Sequence, residues 1–188
     1  MPDATAVQMV AILLAAALAV WTMIAFNRLV RARNLMREGW SGIDVQLRRR
    51  RNLVPNLVET VKAYSRHEAE VLEEVTERRA GTPPDDGVRQ TQDHENVLTD
   101  QLKRLFALAE AYPNLKADVN YRQLQDMLAE IEDQIQMARR YYNGAVREFN
   151  IRAESFPSNL VAKVFRFRPA EFFQIETATD RAAPAVEM

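Results

Sequence analysis

The sequence predicts an all-α protein: an N-terminal transmembrane helix continuing into an antiparallel up-and-down four-helix bundle with long coiled-coil-like helices. Three observations predict it. A charge-free apolar run of 20 residues stands near the N-terminus, from Val7 to Phe26. Beyond it, apolar residues recur at spacings of 3 and 4 along most of the chain, which is the period of an α-helix with one buried stripe. Only 5 glycines and 8 prolines occur, mostly where elements would end, which suits long helices better than a turn-rich β architecture. At 188 residues the chain is long enough for a single domain with appendages. The expected organisation is a short extracytoplasmic N-terminus (1–6), the transmembrane helix (7–26), a cytoplasmic helical bundle (27–155), an aromatic and basic segment (156–174) and a disordered tail (175–188).

The apolar run contains only Gln8 and Thr22 as polar residues. At the helical rise it covers roughly 30 Å, the hydrocarbon thickness of a bilayer. Trp21 and Phe26 fall near one end, where aromatic rings favour the interface. Only Asp3 precedes the run, whereas Arg28, Arg31, Arg33 and Arg37 follow it. By the positive-inside rule those four arginines set the topology, with the N-terminus outside and the bundle in the cytoplasm. A secretory signal would need a basic leader and a shorter apolar stretch, so an uncleaved anchor is the expectation. Ala11, Ala15 and Ala19 lie one turn apart, a small-residue stripe that allows two such helices to approach but does not demand it.

Helix A continues out of the span through Met36, Trp40, Ile43 and Leu47. It meets the basic run Arg48, Arg49, Arg50 and Arg51 and then Pro55, which predicts a turn at residues 52–55 and a new helix B beyond it. The four arginines would then complement the macrodipole at a helix C-terminus, or contact a protein partner. At about 33 Å beyond Phe26 by helical rise, they stand too far out to meet lipid. Helix B carries Leu57, Val58, Val61, Tyr64, Val71, Leu72 and Val75 and stops before the loop Gly81–Gly87. Helix C follows with Val97, Leu98, Leu102, Leu105, Phe106 and Ala109, and the turn at Tyr112 and Pro113 ends it.

Helix D is the clearest element, with Asn120 and Gln123 spaced as a capping box at its start. Its seam runs through Leu124, Leu128, Ile131, Ile135, Ala138, Tyr142, Ala145 and Phe149, and Met127, Val146 and Ala153 widen it. Trp40, Tyr142, Asn143, Phe149 and Asn150 are the residues expected to fix bundle register, the two asparagines through inter-helix hydrogen bonds. Helix parity brings the end of D back toward the bilayer. The segment after it places five phenylalanines among Lys163, Arg166 and Arg168. Two placements suit this segment: Phe165, Arg166, Phe167 and Arg168 at the membrane surface, or the aromatics folded back over the bundle end, the more ordinary fate of such rings.

No metal, cofactor or catalytic site is expected. Cysteine is absent, and although His67 has Glu68 and Glu70 and His94 has Asp93 and Glu95 nearby, adjacent residues on a helix point in different directions and no HExxH or ExxH pair appears. No GxxxxGK, GxGxxG or GxSxG occurs, and the paired carboxylates read as solvated helix faces. With a formal net charge of −1 no global field attracts nucleic acid. The expected partners are the lipid bilayer, a protein, and a second copy of the chain if the alanine stripe is used. No nucleic acid and no small-molecule substrate is expected.

Read in order, several blocks resemble the LemA family of bacterial membrane-anchored proteins. They are the N-terminal span, Trp40–Leu47, Asn52–Tyr64 with the stretch after it, Tyr112–Asp118, Leu124–Asp133, Ala138–Asn150 and Phe156–Ala162. The resemblance implies an antiparallel helical bundle behind one transmembrane helix, and it brings no catalytic residues. The expected function is a non-enzymatic interaction or scaffolding module, or alternatively a lipid-organising protein acting through the aromatic and basic segment.

Overall fold

The computed structural model of the protein describes residues 4–64 and 87–174, and the stretch carrying His67, Val71, Leu72, Val75 and most of the predicted loop lies outside them, as does the tail after Gln174. Among the described residues the chain is all α. The helices are α1 (Ala4–Tyr64), α2 (Val88–Glu110), α3 (Pro113–Ala117), α4 (Val119–Glu154) and α5 (Ser158–Val164). The described residues fall into two compact units, one drawn from 4–39 and 142–170 and one from 40–64, 87–141 and 171–174.

In the first unit α1 changes character along its length. Val7, Ile12, Leu14, Leu18 and Met23 are exposed, and only 6% of the most apolar window is buried. The helix is long and apolar enough to cross a membrane, and among the described residues most of its apolar side chains before Trp21 are left uncovered. From Ala25 onward a buried stripe appears: Ala25, Leu29 and Ala32 pack against Phe149 and Ala153 of α4 and Val161 and Ala162 of α5. The alanines let the helices approach closely enough for Phe149 to fill the space between them, a burial that contributes about 2–3 kcal/mol. The Ser158 hydroxyl donates to the Arg152 carbonyl at 2.7 Å, satisfying an end of α4 that would otherwise lack a partner.

The termination of α5 turns the following chain inward. Phe167 N donates to Ala162 O at 2.9 Å and Arg166 N to Lys163 O at 3.2 Å, the two bonds of a Schellman stop. Arg166 occupies the left-handed position at φ 57°, where glycine is usual. Phe167 is thereby delivered beside Ala162 in the core.

In the second unit α1 supplies Val54, Leu57, Val58 and Val61 to a core shared with Leu98, Leu102 and Leu105 of α2, Leu115 of α3, and Tyr121 and Leu128 of α4. Arg50 pairs with Glu95 and Glu132, while Tyr64 donates to Asp118 at 2.9 Å. α4 therefore runs against α1, and α2 runs alongside it in the same direction. The expected turn at residues 52–55 is absent: α1 continues through Pro55. Proline in a helix interior costs about 3 kcal/mol, but Ile43, Leu47, Arg50, Val54, Leu57 and Val61 keep a 4-3-4-3-4 rhythm across it. All six are buried, and breaking the helix would expose that stripe.

Two smaller expectations at α4 also change. Its cap is Asp118 rather than Asn120 with Gln123: the Asp118 carboxylate accepts from Asn120 N at 2.8 Å and Tyr121 N at 3.0 Å. The predicted seam is buried from Leu128 through Phe149 apart from half-buried Ala138, but Met127 points to solvent instead of widening it.

Candidate functional site

Two arrangements carry unusual chemistry, one in each unit. At the end of the apolar stretch in the first unit, Phe26 anchors a cluster of rings. Phe165 lies 4.7 Å from it, Phe167 5.8 Å, and Phe149 reaches Phe167 at 6.3 Å. Arg33 places its guanidinium 5.0 Å from the Phe167 ring centroid, so this arginine engages an aromatic face. Asn150 holds the chain beyond: its Nδ2 donates to Ala170 O at 3.0 Å and its Oδ1 accepts from Ala170 N at 2.8 Å. The register bond expected of Asn150 is thus made to the backbone of the C-terminal segment and not to a neighbouring helix.

The segment's four named residues divide. Phe167 is folded back onto the helices, whereas Arg166 and Arg168 are exposed and Phe165 keeps 50% of its surface open. Phe156, at the α4–α5 turn and the first of the five phenylalanines, is 80% exposed, and Val164 is 75% exposed. Leu160 and Val164, one turn apart on α5, share a face of that helix, and Leu160 is exposed as well. Arg28, Arg31 and Arg37 are exposed beside the seam of α1.

In the second unit Arg50 is 0% exposed. Its guanidinium donates to Glu95, to Glu132 Oε1 at 2.6 Å and to Thr99 Oγ1 at 3.2 Å, and Thr99 in turn donates to Glu95 O at 2.8 Å. Burial works against the Arg50 charge, and the two carboxylates overcome it, raising the arginine above its ordinary pKa. A cation so enclosed cannot reach a partner surface, which corrects the reading of Arg50 as a contact residue. Arg51 turns toward Glu95 and Asp44 at 3.9 and 4.0 Å. Arg48 and Arg49 remain exposed, paired with Asp44 at 2.7 Å and with Gln46 at 3.2 Å. None of the four stands at a helix C-terminus, because α1 does not stop there. Arg50 was recoverable from its phase, since it occupies the seam position between Leu47 and Val54.

Of the remaining register residues, Trp40 packs on Phe173 with ring centroids 5.4 Å apart, and Tyr142 and Phe149 are buried. Asn143 is half-buried. Among the described residues no group of three or more His, Asp or Glu side chains is arranged to hold a metal.

The model of the LemA family matches residues 39–188. Magnetosome protein MamQ 1 of Paramagnetospirillum magneticum is 26% identical over 166 residues, covering 74% of this chain. MamQ of Magnetospirillum gryphiswaldense is 22% identical over the same span. The chain covers 61% of the length of each of these MamQ relatives. Protein LemA of Metamycoplasma hominis is 26% identical over 149 residues, covering 79% of this chain and 68% of that protein. The matched region begins one residue before Trp40 and takes in the whole second unit; on that match the chain belongs to the LemA family.

Proposed function

We propose that this LemA-type protein is a non-enzymatic interaction or scaffolding module, tethered to the cytoplasmic face of a bacterial inner membrane. One observation carries the reading. α1 passes from exposed apolar residues to a packed stripe at Ala25, and the first arginine follows three residues later. A single helix thus serves as anchor and as part of the bundle, a construction that holds a helical surface beside the bilayer. The arginines after Phe26 favour the cytoplasmic side for the body. The buried cation of the second unit is saturated by its own carboxylates, which suits a structural lock better than a substrate site.

Proximity labelling from a C-terminal fusion in the native membrane tests this. The expected result is a reproducible set of cytoplasmic and membrane proteins. Labelling restricted to extracytoplasmic proteins would overturn the orientation, and labelling no different from an unrelated single-pass anchor would overturn the interaction role.

A second reading, a lipid-organising role for the aromatic segment, draws on the exposure of Phe156, Leu160 and Val164 near the end of the apolar stretch. A spin label at Phe156→Cys in the reconstituted chain is then expected to relax with lipid-soluble oxygen. Relaxation by an aqueous nickel chelate instead would remove this reading.

A further inference from the structure

We infer that the first unit holds a binding site for the phosphodiester headgroup of one membrane phospholipid, in the cleft where the apolar stretch of α1 meets the α4–α5 turn. The inference rests on the membrane anchoring proposed above. The cleft encloses about 490 Å³. Its apolar lining comes from Trp21, Ile24 and Leu29 of α1 and from Pro157 at the α4–α5 turn. Arg28 and Arg152 complete its lining.

Arg152 is held in place rather than free to sweep. Its Nε donates to Glu148 Oε1 at 2.7 Å, and its NH1 reaches the Arg28 carbonyl at 3.4 Å. Glu148 compensates one of the two cations, which leaves the pair matched to the single negative charge of a phosphodiester. A fixed arginine fork beside a second arginine is the arrangement that recognises phosphate oxygens.

The axial spacing selects the source of that phosphate. Trp21 and Arg28 are seven residues apart, about 10 Å along the helix. The interfacial layer on one side of a bilayer is roughly 5–8 Å deep, so a phosphate at Arg28 places glycerol and upper acyl carbons against Ile24 and Trp21. A free phosphate ester gains nothing from that apolar wall. A phospholipid fills it, and its chains continue along the exposed side of the span. Phe156, strongly exposed and adjacent in the chain to the cleft's Pro157, then faces lipid and not water.

Native mass spectrometry of the full chain, released from phosphatidylglycerol nanodiscs into mild detergent, tests this. The chain is expected to retain one phosphatidylglycerol molecule. Retention is expected to fall about tenfold or more in Arg28→Gln with Arg152→Gln, each removing a charge-assisted hydrogen bond. It is expected to be unchanged in the charge-matched control Arg140→Gln with Arg147→Gln, and unaffected by millimolar glycerol 3-phosphate. Equal loss in both double variants would overturn the site in favour of diffuse attraction. Undiminished retention in the cleft variant, or displacement by glycerol 3-phosphate, would overturn it as well. If the double variant does not fold, Arg28→Gln alone, at an exposed side chain, carries the same comparison. Failure of the unaltered chain to enter nanodiscs would instead overturn the anchoring, so the two failures are distinct.

Discussion

The two arginine groups of α1 have similar composition, yet only the second has a member that is fully enclosed. Arg28, Arg31 and Arg37 stand beside a seam of Ala25, Leu29, Ala32 and Met36 and remain exposed. Arg48 and Arg49 do the same beside Leu47, but Arg50 falls on the seam itself and is enclosed. Helix phase, not local charge density, decides which cation meets solvent. The same helix teaches this for apolar residues: Leu13 and Leu14 are exposed where there is no protein stripe to join, and Leu29 and Leu47 are sealed where there is one.

Removing Glu95 should break this comparison most severely. Glu95→Ala leaves Arg50 buried with the partly open Glu132 as its one remaining carboxylate partner, and a loss of about 3–5 kcal/mol is expected in chemical denaturation. Arg48→Ala, on an exposed ion pair, should change stability by less than about 0.5 kcal/mol. Replacing Arg50 and Glu95 together by Met and Leu should recover most of the loss, since Glu132 retains 40% side-chain exposure and can be hydrated. A double variant no better than Glu95→Ala would mean the ion pair does more than satisfy its own burial.

In the first unit the analogous test is Asn150→Ala. It removes both bonds to Ala170 and should cost about 1–3 kcal/mol, read as faster hydrogen exchange at Ala170. A smaller effect of opposite sign is expected of Arg166→Gly, which relieves the left-handed strain at the end of α5. The gain should be about 0.5 kcal/mol after the added backbone entropy of glycine.

The finest effect concerns pH. Backbone N–H donation from Tyr121, followed by the Tyr64 hydroxyl, holds the Asp118 carboxyl below its ordinary value of 3.8. A depressed carboxylate stabilises the fold above that value, and the contribution is lost as pH falls below it through the folded-state pKa. Thermal scans of Asp118→Asn and the unaltered chain should therefore differ near neutrality and converge in acid. A constant gap across pH would show that the carboxylate charge is not what caps α4.

The helical period made α4 and the membrane-length stretch legible, because a long uniform stripe leaves one reading. Pro55 and Arg50 misled for a shared reason. Each is a strong local signal, and local signals yield when a buried stripe of several turns crosses them. Asp118 was overshadowed by Asn120, two residues on, since cap position depends on a single extended residue that periodicity does not locate. The aromatic segment is the hardest case. Which phenylalanine folds inward depends on the Schellman stop at Arg166, and an arginine gives no hint of left-handed backbone.

The central claim is that α1 crosses the membrane and then packs. The chain contains no cysteine, so single cysteines at Ala4 and Ser41 report without background. In intact cells a membrane-impermeant maleimide should label Ala4→Cys and leave Ser41→Cys unlabelled until the membrane is opened. Labelling of both positions in intact cells, or of Ser41→Cys alone, would contradict the account.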